Sequence, residues 1–117
     1  MHLAYEWILK NNGICSSLMY KYRANDTFYC SYDAINSVGC MKSYVIAPHG
    51  DEILLRDIVA NIGPVAVAVD SSPLSFHSYG SDVFYDIECT SNIVHAMLLV
   101  GYGTDTNFGD YWLFKNR

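Results

Sequence analysis

The run Asn92-Ile93-Val94-His95-Ala96-Met97-Leu98-Leu99-Val100-Gly101-Tyr102-Gly103, followed by Asp110-Tyr111-Trp112-Leu113-Phe114-Lys115-Asn116, decides the fold. Residues 93–102 are apolar and bounded by glycine, the pattern of a buried strand. The polar stretch 104–109 reads as a hairpin loop, and 111–115 as the returning partner strand. One residue interrupts the apolar run. A lone histidine at such a position is most often a core residue satisfied by backbone. The alternative reading of His95 is a general base held on a rigid strand, where proton transfer needs one. An antiparallel hairpin brings its two far ends together. His95 near the start of one arm and Asn116 near the end of the other are then neighbours. A carboxamide that accepts an imidazole N–H fixes the ring. That pairing is the base-and-orienter part of a Cys-His-Asn triad. On its own, Asn116 reads as an ordinary loop residue.

Outward from the hairpin, residues 65–70 form a short β-branched run and are expected as a doubly buried strand. Gly63-Pro64 ends a helix expected over 51–61, with Asp51 as N-cap and Leu54, Leu55, Ile58 and Val59 at helical spacing. Residues 42–46 and 83–85 are expected as short strands, and 74–79 as one helical turn. A first helix is expected over 3–11, with Leu3, Trp7 and Ile8 on one face. Asn12-Gly13 closes it, Gly taking the left-handed cap. Residues 15–41 show no sustained period and read as a loop-rich stretch. The order implies an α+β fold with a mostly antiparallel sheet.

The chain has 117 residues, enough for one domain, and 51% of them are hydrophobic. Seven Lys and Arg against twelve Asp and Glu give a net charge of -5. Phosphate binding needs clustered cations, so neither a nucleic-acid partner nor an anionic membrane surface is expected. The apolar runs at 65–69 and 93–100 fall short of the roughly 18 residues a membrane span needs. The start, Met1-His2-Leu3-Ala4-Tyr5-Glu6, has no basic region followed by an apolar one, so no signal peptide is expected. Four cysteines, at 15, 30, 40 and 89, contain no C-x-x-C pair, and no metal or other cofactor is expected. Spacing alone leaves open whether they are a secreted disulfide framework or buried thiols. Asn25-Asp26-Thr27 is a glycosylation acceptor triplet.

Four collinear motifs now carry a resemblance. The segment 92–103 resembles the histidine strand of the papain-like, cathepsin L-like cysteine peptidases, and 110–116 resembles the segment delivering their asparagine. Asn61-Ile62-Gly63-Pro64-Val65-Ala66-Val67-Ala68-Val69-Asp70 is similar to their glycine-proline strand. Ala4-Tyr5-Glu6-Trp7-Ile8 through Asn12-Gly13-Ile14 is similar to the helix before their tyrosine-rich loop, present as Tyr20-Lys21-Tyr22-Arg23-Ala24 with Lys21 where proline is common. The resemblance implies the C-terminal, barrel-like antiparallel lobe of that fold plus one helix of the other lobe. Residues 1–41 are expected as the remnant of the helical lobe and tyrosine-rich loop, and 42–117 as the β-rich lobe. It implies that His95 forms the thiolate–imidazolium pair and protonates the leaving amine, with Asn116 orienting it. Ala68, Ile93 and Ala96 match positions lining the S2 pocket, where an apolar P2 side chain would fit.

The same resemblance places the nucleophile in a C-G-S-C-W motif roughly 130–150 residues before the histidine. His95 has 94 residues before it, and neither that motif nor the oxyanion glutamine occurs here. The chain is therefore expected to be truncated at both ends and inactive alone. Cys89 stands six residues before His95 with no cation beside it, so it is not expected to serve as nucleophile. By resemblance, Cys30 and Cys89 partner cysteines beyond the chain ends. The resemblance gives Cys15 and Cys40 no such outside partners, so they are expected to pair with each other, a closure worth roughly 3 kcal/mol. The partners implied are a peptide or protein substrate of the intact parent. The alternative is a non-catalytic module binding an N-terminal lobe, a pro-segment or an inhibitor. The compartment implied is lysosomal or extracellular.

Overall fold

A computed structural model describes residues 1–26 and 29–116. Thr27 of the glycosylation triplet lies outside the described residues. The chain divides into two compact units, Met1–Ile46 and Ala47–Arg117.

In the first unit, helix α1 spans His2–Lys10. Its end is a Schellman motif. Gly13 N–H donates to Ile8 O at 2.9 Å and Asn12 N–H to Leu9 O at 3.3 Å. The left-handed residue is Asn12, at φ 56°, and not the glycine that the sequence suggests for that place. Gly13 is needed for a different reason: a Cβ there would lie 1.9 Å from Ser37 Oγ. The stretch read as loop holds a small antiparallel ladder. Strand β1, Ile14–Cys15, pairs with β2, Ser37–Gly39, just after a 3-10 turn at Ala34–Asn36. Trp7 packs edge-on against Tyr32, ring centroids 4.8 Å apart. Residues 42–46, expected as a strand, are irregular. Side chains anchor them instead: Tyr44 stacks on Tyr5 at 5.6 Å and donates to Glu6 Oε1 at 3.0 Å. That bond to a carboxylate, with some desolvation, raises the phenol's pKa.

The expected Cys15–Cys40 disulfide is not formed; all four cysteines are free thiols. The ladder register gives the reason. Ser37 stands opposite Cys15, Cys40 falls past the end of β2, and the Cys15 thiol turns to Asp33 O at 3.5 Å.

In the second unit, helix α2 spans Glu52–Asn61, and Asp51 caps it by accepting from Leu54 N–H at 2.9 Å. Leu55, Ile58 and Val59 form its inner stripe, while Leu54 is turned outward. Strand β3, Val65–Val69, is followed by the one-turn helix α3, Leu74–His77. Strands β4, His95–Asp105, and β5, Gly109–Lys115, form the hairpin. The sheet is antiparallel in the order β3-β4-β5, with α2 packed on β4. The strand expected as doubly buried at 65–70 is thus an edge strand, with each residue of 65–69 half-exposed. The central place belongs to β4, whose Met97 and Leu99 are the buried apolar side chains among the described residues. Residues 83–85 are irregular. The mixed helix and antiparallel-sheet class is as expected, with the described strands in a two-stranded ladder, β1-β2, and a three-stranded sheet, β3-β4-β5.

Candidate active site

The hairpin positions His95 and Asn116 through a detail of register. From the turn upward, Asp105 faces Gly109, Gly103 faces Tyr111 and Gly101 faces Leu113. Between Leu99 and Gly101 the pairing shifts, and β4 takes up one extra residue, so Leu99 faces Phe114 and Leu98 faces Lys115. One step further along, Asn116 comes beside Met97. Opposed residues share a face, and Met97 shares its face with His95. Without the bulge, Asn116 would fall beside Leu98 and point to the other side, because a one-residue slip exchanges the faces. Gly101 inside an apolar strand was the available signal for this bulge.

His95 Nε2 lies 2.7 Å from Asn116 Oδ1. An amide oxygen can only accept, so Nε2 carries the proton. In the neutral ring this leaves the lone pair on Nδ1, which makes Nδ1 the basic nitrogen. The ring is half-buried and is held from another side by Phe76 of α3, edge-on with centroids 6.0 Å apart. Phe84 in turn packs edge-on against Phe76 at 5.6 Å and against Tyr79 at 6.0 Å. The imidazole therefore has one polar anchor and one aromatic wall, which restrict its rotation.

Two carboxylates brace the segments around the ring. Asp70, directly after β3, is 6% exposed. It accepts from the backbone and hydroxyl of Ser72 and from the backbone and hydroxyl of Thr90, the latter two at 2.9 and 2.7 Å. These donors, the Ser72 hydroxyl foremost and the Thr90 hydroxyl next, hold its carboxyl well below the usual carboxylate range. Asp86 accepts from the Ser75 hydroxyl and from Glu88 N–H, and is lowered chiefly by the Ser75 bond. Neither Asp70 nor Phe76 was singled out from the sequence. A carboxylate closing an apolar strand and followed by two serines was the available sign for Asp70.

The other expected residues fall as follows. Ala68 of β3 stands directly opposite Ala96 of β4, and Val69 opposite His95. Ile93 precedes β4 and is 55% exposed. Cys89 is exposed, and its thiol turns to Thr90 O. Among the described residues, no group of His, Cys, Asp and Glu has a metal-binding arrangement. The first unit holds an open, apolar pocket of about 470 Å³ lined by Trp7, Ile14, Cys15, Tyr20, Cys30 and Tyr32, among others, and by no histidine.

The family model "Papain family cysteine protease" matches residues 1–117. Cathepsin S of Bos taurus is 44% identical over 113 residues, 97% of this chain and 34% of that protein. A cathepsin L-like protein of Caenorhabditis elegans is 41% identical, over 99% of this chain and 34% of its own length. The solved structure of digestive procathepsin L2 proteinase from Tenebrio molitor larval midgut superposes with a TM-score of 0.87 at 41% identity, covering 97% of this chain and 35% of that one. The chain thus spans about a third of the length of the relatives it matches. With a family model matched from end to end and the mixed helix and antiparallel-sheet fold shared with procathepsin L, the chain belongs to the papain family of cysteine proteases.

Proposed function

We propose that this chain supplies the base-and-orienter half of a papain-type active site and that it does not hydrolyse peptides alone. The observation that carries this reading is the 2.7 Å contact between His95 Nε2 and Asn116 Oδ1. In the intact parent, His95 Nδ1 takes the proton of a cysteine thiol. The thiolate attacks the peptide carbonyl, and the imidazolium returns the proton to the leaving amine as the C–N bond breaks. A water molecule, deprotonated by the same ring, then releases the acyl group from sulfur. Asn116 keeps Nε2 protonated, and therefore Nδ1 basic, throughout the cycle. Ala68 and Ala96, paired across the strands, together with Ile93 would present small and aliphatic groups to an apolar P2 side chain, with discrimination of about 1–3 kcal/mol per methylene-scale contact. Such a protease would act in a lysosomal or extracellular compartment.

The four cysteines do not replace the nucleophile in this reading. Cys89 is the nearest in sequence to His95, and its thiol is turned to the backbone of Thr90. Removing the nucleophile from a catalytic unit abolishes nearly all of its rate enhancement. The purified chain is therefore expected to leave dipeptidyl fluorogenic substrates uncleaved at acidic pH. Adding a separate helical lobe that carries the cysteine is expected to restore thiol-dependent cleavage, lost again with His95→Ala. Thiol-dependent turnover by the chain alone would contradict the proposal.

A second reading, a module that binds a partner without catalysis, is favoured by the exposed apolar surface. Val45, Ile35, Ile62 and Leu18 are each more than three-quarters exposed, while Met97 and Leu99 alone make up the buried apolar set among the described residues. Surface of this kind is that of an interface awaiting a partner. An N-terminal lobe, a pro-segment or an inhibitor would fit it. Among the described residues, no helix is long and apolar enough to cross a membrane.

A further inference from the structure

Asp70 is the one buried polar or charged residue among those described, and the reaction outlined above does not use it. Its position is informative. It follows Val69, the residue opposite His95 in the β3–β4 ladder. One carboxylate oxygen is taken up locally by Ser72. The other accepts the backbone N–H and the hydroxyl of Thr90, twenty residues further along the chain. Thr90 Oγ1 also accepts from Asn92 N–H at 3.0 Å, and Val94 N–H donates to Val69 O at 3.2 Å. The chain entering β4 is thus fixed at 90, 92 and 94, all within five residues of His95. Before that point the segment is exposed, and residues 91–94 have no buried side chain to hold them. A loop without burial opens readily unless such bonds tie it. A carboxylate receiving several hydrogen bonds, two of them from backbone, is a strong and directional anchor.

We propose that Asp70, acting through Thr90, is a positioning residue for His95: it fixes where β4 begins and so keeps the imidazole within reach of Asn116. This rests on the reading of His95 as the general base. Asp70 touches neither the ring nor a reacting atom. Its lowered pKa agrees with a carboxylate that stays ionised across the working range of such enzymes.

The test uses the full chain labelled with 15N-histidine. The ring nitrogen shifts report the tautomer of His95, and exchange of its Nε2 proton reports the bond to Asn116. The wild type is expected to show Nε2–H predominating, with slowed exchange. Thr90→Val, which removes the hydroxyl and leaves the carboxylate and its backbone donor, is expected to raise the exchange rate roughly tenfold, the scale of one lost hydrogen bond in local opening, and to mix the tautomers. Asp70→Asn is expected to do so more strongly. Thr90→Ser should restore the wild-type signature. Ile58→Val, which weakens the α2 packing without touching the clasp, should leave it unchanged. If Asp70→Asn fails to fold, the Thr90 pair decides. A wild-type signature that persists in folded Thr90→Val overturns the inference alone. A wild-type ring without the Nε2–H signature overturns the base reading and this inference with it.

Discussion

A carboxylate can be buried and still ionised when its donors replace the water it has lost, and Asp70 meets that condition with four of them. The direction of its shift sets a pH dependence. The unfolded chain protonates Asp70 at the ordinary value, about 3.9, whereas the folded chain resists protonation to lower pH. The stability it contributes is fully present above the unfolded value and is lost as pH falls below it toward the folded one. Asp70→Asn is therefore expected to be less stable than wild type at pH 6, with the gap narrowing steadily below about pH 4. Urea midpoints measured from pH 6 to pH 2.5 check this, and parallel profiles would contradict it. At this scale the sequence was partly legible. His95 stood out because a titratable ring interrupts an apolar run. Asn116 stood out only through the hairpin that pairs it. Asp70 carried a local sign in the two serines after it, but its contact with Thr90, like that of Phe76 with His95, joins residues 19 or 20 positions apart, which no local pattern carries.

At the scale of elements, turn chemistry sets more than periodicity does. Gly13 ends α1 and starts β1 with φ 145°, close against Ser37 and the carbonyl of Gly39. No other residue fits both the backbone and the space. Gly13→Ala is expected to lower the stability of the first unit by roughly 1–3 kcal/mol, through backbone strain and displacement of β2. Denaturation followed by Trp7 fluorescence in a Trp112→Phe background reads this, and an unchanged midpoint would contradict it. The β4–β5 hairpin and helix α2 were legible because each carries its own period and its own end signals. The strand expected at 42–46 was not, since a strand needs a partner edge and the segment is held by Tyr44 instead. The edge position of β3 was hidden for a similar reason: a β-branched run looks alike whether one or both faces are covered. Pairing of β1 with β2 spans residues with no period at all and escaped a reading built on periodicity.

At the scale of the whole molecule, the chain carries far more apolar surface than its own core uses. Leu99 is fully buried and Met97 nearly so, yet Leu3, Leu18, Ile35, Val45 and Ile62 lie open. The chain spans about a third of the length of its relatives, and under the reading proposed above a lobe of the same fold would cover such surface. The chain alone is expected to enhance the fluorescence of an apolar-surface dye, and the enhancement is expected to fall by about half or more when a helical lobe is added. No change on addition would argue against pairing in trans. The α+β class and the antiparallel hairpin were readable from order and pattern.

The most direct measurement of the central claim compares the 15N-histidine spectra of the chain and of Asn116→Ala. If the asparagine sets the imidazole tautomer, the wild type shows His95 protonated on Nε2 and the variant shows both tautomers in exchange. Two identical His95 spectra would mean that the side-chain amide does not orient the ring, and the site would lose its claim to be half of a catalytic triad.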